Sequence, residues 1–321
     1  MRFRRAVLAC SIVCTLLLGS ARARATPCSG PIDPCVNDDT LWPHAGPALF
    51  SAVGSADVVA ANQMGFGIVT TYVSRPIVLR LVSPGADYNA VSDQVDGSFL
   101  WSYGIARRLE LDLALALTLG QGGTGLAPVT GGAGLKDTAT RDMRFGFTYA
   151  IVAHATPGAA INSTMAPQAS ARDFGLVARF EVSAPTGDRG QFAGEHTGVF
   201  VPSVAGDYRI GRFFAGAELG GRLRPTAELL GARIGSQLVA AVGAGYDILP
   251  SGLLSVEIEA WALPTFVTPS EWQFSVRTAP LPRDLSFSLG GGGGIPWDGD
   301  VPVTTPRFRF TLGLRWAPES R

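Results

Sequence analysis

From about residue 65 onward, apolar and polar positions alternate with a period of two. Residues 109–119 read LELDLALALTL, with leucine at every odd position and Glu110, Asp112, Ala114, Ala116 and Thr118 between them. Such alternation makes a strand with two unlike faces. In a soluble sandwich the leucines would face a core; in an outer-membrane barrel they would face lipid, with the acids in a wet lumen. The pattern recurs, predicting twelve strands near 65–81, 93–105, 109–119, 142–153, 173–184, 198–209, 212–224, 236–248, 253–263, 271–279, 284–292 and 306–316. The last is the clearest: Phe308, Phe310, Leu312, Leu314 and Trp316 alternate with Arg307, Arg309, Thr311, Gly313 and Arg315.

Comparison across strands favours the barrel. The polar faces collect Glu, Asp, Arg, Ser, Thr and Gly, while the apolar faces are aromatic near strand ends and aliphatic between, as lipid and its interfaces require. A sandwich would carry lysine and glutamate on its outer face, and Lys136 is the sole lysine. Connection lengths are an independent test, because barrels of this kind alternate short periplasmic turns with long outer loops. Ala106-Arg107-Arg108, Ile210-Gly211, Leu249–Gly252 and Pro280–Arg283 are short, whereas 120–141, 185–197 and 293–305 are long; the connection 154–172 breaks the rule. The expected fold is all-β, an antiparallel transmembrane β-barrel of about 12 strands over residues 64–318, preceded by a short disulfide-closed segment.

The N-terminus changes the picture only by adding export. Arg2, Arg4 and Arg5 precede an apolar run from Ala6 to Gly19, and Ala23-Arg24-Ala25 offers a cleavage site. Residues 1–25 read as a signal peptide rather than a buried helix or a lipoprotein signal. Residues 26–63 form a separate segment, a periplasmic cap or a plug of the lumen. Its Cys28 and Cys35 suggest one disulfide, since His44 alone cannot complete a metal site.

Composition excludes several classes. Formal net charge is zero with no basic patch, so nucleic acid is not expected as a partner. No later run of apolar residues is long enough for a membrane helix. The polar faces nominate lumen-lining charges: Glu110, Asp112, Asp142, Arg144, Asp173, Arg179, Glu181, Glu218, Arg222, Glu257, Glu259, Arg277, Arg307, Arg309 and Arg315. They could select solutes at a constriction, or pair and stiffen the interior; near-balance of sign favours mostly paired charges along a narrow path. No cofactor or metal is expected. His154 and His196 fall at a strand end and in a loop, with no pattern placing either beside a hydroxyl as nucleophilic catalysis needs. Gly290–Gly294 reads as loop rather than phosphate cradle. Asp188 and Glu195 supply too few oxygens for calcium.

The stretches WSYGIARRLELDLALALTLGQGG, RDMRFGFTYA and VSAPTGDRG resemble outer-membrane barrels of the phenol-degradation-pathway channel type. They are also similar to barrels that precede a peptidoglycan-binding domain in myxobacteria-like Gram-negatives. The resemblance implies a channel in contact with outer-membrane lipids, carrying small solutes. The ending FRFTLGLRW resembles the signal read by the outer-membrane assembly machinery, with Gly313 and Trp316 in suitable places. The chain stops at Arg321 soon after this strand, so a peptidoglycan anchor is not expected. The expected function is passive transport. A filled structural barrel offering loops 120–141 and 293–305 as a surface platform, an outer-membrane hydrolase and a secreted sandwich are the alternatives.

Overall fold

A computed structural model describes residues 32, 34–80, 87–131, 134–154, 172–249, 253–278, 285–297 and 302–318. Twelve of its strands are β1 (Met64–Arg80), β2 (Asp87–Ala106), β3 (Leu109–Gly122), β5 (Met143–Val152), β6 (Arg172–Ala184), β7 (Val199–Ile210), β8 (Phe213–Arg222), β11 (Gln237–Asp247), β12 (Leu254–Ala262), β13 (Ser270–Thr278), β14 (Leu285–Gly294) and β15 (Phe308–Trp316). Each pairs antiparallel with the next in this order. β15 then pairs back onto β1, from Phe66 opposite Trp316 to Ser74 opposite Phe308. The sheet is therefore closed and has no free edge, as a strand-built membrane crossing requires. Among the described residues, β4 (Ala139–Thr140) adds to β3, and β9 (Ala227–Leu229) with β10 (Ala232–Ile234) forms a small hairpin inside a long connection.

The alternation settles which way the faces point. In β3 Leu111, Leu115, Leu117 and Leu119 are exposed, while Glu110, Asp112, Ala114 and Thr118 are buried. In β15 Phe308, Phe310 and Leu312 are exposed while Arg309 and Thr311 are buried. A soluble sandwich has the opposite sense, so that alternative falls. Phe66 stacks on Trp316 with ring centroids 5.8 Å apart, and Trp101 on Tyr103 at 6.3 Å. These rings lie at the barrel end bearing the tight turns Arg107-Arg108 and Gly211-Arg212, where an aromatic girdle belongs.

One expectation needs correction. β2 begins at Asp87 rather than near residue 93, and pairs there with Arg80 at the end of β1, whose expected span of 65–81 holds. The ladder shifts register between Ser74 and Ile77, where Arg75 adopts a φ of 51°. Beyond that irregularity β15 no longer accompanies β1. Ile77, Leu79, Ala90 and Val91 then pack with Phe192 and Leu229 as a cap of loops rather than a lipid-facing wall. Most of the anomalous connection after β5, residues 155–171, lies outside the described residues.

The proposed signal peptide and Cys28 also lie outside the described residues, so the expected disulfide is not shown; Cys35 is buried. From Thr40 to Ala60 the chain runs inside the barrel. It is buried against Phe214, Ala241 and Trp261 through Leu41, Leu49, Phe50 and Val53, and against Val177 and Ala205 through Ala56.

Candidate functional site

Residues 40–58 contain no helix or strand, yet most are buried inside the barrel. Buried backbone N–H and C=O groups must find partners, and this stretch has no ladder of its own to provide them. The barrel wall supplies them from charged side chains. Arg222 donates to the Thr40 carbonyl at 2.7 Å, Arg144 to Pro43 at 2.8 Å, and Arg277 to Ala48 at 3.1 Å. Arg315 donates to both His44 and Gly46, and Arg179 to Ser55. Carboxylates take the N–H groups. Glu259 accepts from Ser51, Ala52 and Val53 in succession, at 3.1, 2.8 and 3.4 Å. Glu218 accepts from Gly54 and Asp207 from Ala56, at 2.8 and 2.7 Å, and Glu110 accepts from Val59. Strand parity puts these wall groups inward; the irregular segment neutralises their hydrogen-bonding demand.

Side chains add discrete locks. Asp39 meets Arg309 at 2.8 Å and Asp38 meets Arg141 at 2.9 Å. Arg309 also pairs with Glu271 at 2.7 Å, and Arg141 with Asp96 at 3.1 Å. Thr40 donates to Glu271, and His44 lies 3.0 Å from Glu218. Trp42 sits between Arg222 and Arg144, whose guanidinium carbons stand 3.9 and 5.1 Å from its ring centre, a double cation–π contact. Phe50 fills a socket left by Gly216 and Gly243, where a Cβ would lie 2.9 and 2.7 Å from its ring.

The tight-turn end carries another lock, at His154. One ring nitrogen is 2.8 Å from Asp173 and the other 2.7 Å from Asp207, with Asp57 of the lumen segment at 3.9 Å. Arg209 holds Asp57 from the other side at 2.9 Å. Burial by itself would depress the imidazole, but Asp207 and Asp57 outweigh it and raise its pKa to about 9. At neutral pH the ring is a cation among carboxylates. Its nitrogens face acids rather than a hydroxyl, which is not the arrangement of a nucleophile and its base.

The charges nominated from sequence divide accordingly. Glu110, Asp112, Arg144, Arg179, Glu181, Glu218, Arg222, Glu257, Glu259 and Arg309 are buried within the barrel, and Arg277 and Arg315 are half-buried there. Asp173 stands at the tight-turn mouth with His154. Asp142 precedes β5, beside Trp42 and Arg144, and accepts from the Gly187 and Glu195 N–H groups, each at 2.8 Å, pinning an outer loop. Burial lifts its pKa to about 6. Arg307 departs from its expected lumen position: it is exposed just before β15 in a cleft with Arg75, Pro76 and Val303. Gly313 is buried beside Ser288, and Trp316 packs on Phe66 at the barrel's outer surface. His196 is half-buried in the 185–198 connection. Asp96, Arg141, Asp207 and Glu271 were missed. Asp207 and Glu271 share the parity of nominated neighbours, but Asp96 sits on a face that also carries Leu100, and Arg141 lies outside any strand.

No family model matches the chain, and no curated protein matches its sequence. Among solved structures it is similar to an outer membrane channel from Pseudomonas putida F1, with a TM-score of 0.52 at 12% identity, over 81% of this chain and 97% of that one. It is also similar to the NanC porin, with a TM-score of 0.45 at 7% identity, over 79% and 99%. For the toluene transporter TbuX of Ralstonia pickettii the TM-score is 0.38 at 9% identity, over 81% and 90%. The likeness to the Pseudomonas channel is one of fold.

Proposed function

We propose that the protein is an outer-membrane barrel for passive transport of small polar solutes, with residues 26–63 as a removable plug. The observation that carries this reading is how the segment is held. Its backbone bonds to charged side chains of the barrel wall, groups that water or a passing solute can satisfy equally well once the segment leaves. A barrel meant only as a filled strut needs no such exchangeable lining. Small organic molecules, the cargo implied by the resemblance to phenol-degradation channels, fall under the same reading where they carry polar groups. The tight-turn end is assigned to the periplasm and the long loops to the cell exterior. Export by a signal peptide over 1–25, a Cys28–Cys35 disulfide and recognition of Gly313 and Trp316 by the assembly machinery belong to the same proposal.

Conductance of the refolded protein in a planar bilayer, with and without residues 26–63, tests it. Small conductance in the full chain and a large steady conductance after deletion are expected. Silence from both, with folding established by heat-modifiable gel mobility, would sink transport and leave the filled structural barrel.

A further inference from the structure

The lumen grips its own chain by the backbone, and the identity of the gripped side chains matters little over much of the segment. Ser51, Ala52, Val53, Gly54, Ser55 and Ala56 are all small. Glu259 gathers three consecutive N–H groups of this run, while Arg315 spans the carbonyls of His44 and Gly46 at 2.6 and 3.2 Å. Arginines meet carbonyls and carboxylates meet amides from one end of the barrel to the other. We propose that the lumen is a binding path for peptide backbone, and that the solutes it admits are short peptides in extended form. This deepens the transport reading and rests on it.

The chemistry singles out that class. An apolar solute would strand buried charges without partners. A neutral sugar offers hydroxyls but no charged ends. A zwitterionic peptide brings amide N–H and C=O groups in the alternation the wall already serves, an ammonium for the carboxylates and a terminal carboxylate for the arginines, where charge-assisted bonds are strongest. The lumen also offers a place for one ring: the socket at Gly216 and Gly243 that Phe50 now fills. A peptide with one aromatic side chain therefore matches both the polar path and the socket.

The test is flux into liposomes carrying the full-length protein, comparing Gly-Phe-Gly, Gly-Gly-Gly and a neutral disaccharide. Gly-Phe-Gly is expected to enter about tenfold faster than the disaccharide, the equivalent of one charge-assisted hydrogen bond. Glu259→Gln with Arg315→Gln should erase that advantage, bringing the ratio of peptide entry to sugar entry down to about one. Should the double variant lose its heat-modifiable mobility, Glu259→Gln alone carries the comparison. In the Phe50→Ala protein, where the socket is free of its own ring, Gly243→Leu should bring Gly-Phe-Gly down to the rate of Gly-Gly-Gly. Equal entry of peptide and sugar through a protein that conducts ions overturns peptide recognition and leaves transport standing. No entry of any solute and no ion current overturns both.

Discussion

At the scale of single residues, the lumen segment hangs on a few contacts that differ in kind. Phe50 is an apolar anchor, in contact with Phe214 at 5.6 Å between ring centres. Truncation of a buried phenylalanine costs about 3 to 5 kcal/mol. Phe50→Ala should therefore raise open probability in bilayer recordings and speed amide exchange at Ser51 to Gly54, with the barrel still folded. His154 gives a pH-dependent contact. Its pKa is raised from an ordinary 6.5 to about 9. The attraction it lends to Asp57 and Asp207 is thus complete below the ordinary value and disappears as pH rises through the raised one. Open probability should increase as pH climbs from about 7 to 10, and His154→Ala should flatten that rise. A pH-independent wild type would contradict the lock.

At the scale of the strand, the two faces tolerate different changes. Leu115 lies mid-strand in β3 and is exposed on the lipid side. An arginine there costs about 2 to 4 kcal/mol at the bilayer midplane. Leu115→Arg should lower the urea midpoint of the vesicle-inserted barrel accordingly, whereas Ala116→Ser on the half-buried lumen side of the same strand should change it far less. The strand scale was also where sequence reading succeeded and where it stopped. Period-two alternation located all twelve barrel strands because each separates lipid from lumen over most of its length. It stopped short at the start of β2, since Ala90 and Val91 pack under loops with Ile77 and Leu79 and no longer obey the two-sided rule.

At the scale of the whole molecule, the lumen segment traverses the barrel. Val59 meets Glu110 toward the tight-turn end, while Asp38 and Asp39 reach Arg141 and Arg309 near the opposite mouth. Ile32 bridges to Leu229 and Val36 packs on Ala227 and Ile234, in the long connection between β8 and β11. The chain therefore enters β1 from one end of the barrel after coming down from the other. An epitope placed just ahead of Ile32 should bind antibody on intact cells; labelling only after permeabilisation would contradict this path.

The sequence by itself determined the barrel, because the choice between lipid and lumen is made residue by residue and leaves a local record in the alternation. It also nominated most wall charges, since parity alone sends Glu218, Glu259, Arg222 and Arg309 inward. Which partners they meet was decided only by the tertiary structure. Residues 40–58 have no periodic pattern, and their hydrogen bonds run to side chains far along the chain, such as Glu259 and Arg315. Charges that pair with one another, as Arg144 does with Glu181 and Arg277 with Glu257, also hold a backbone. The physical reason is that an irregular buried segment must borrow its hydrogen-bond partners, and only closure of the barrel around it determines the lenders.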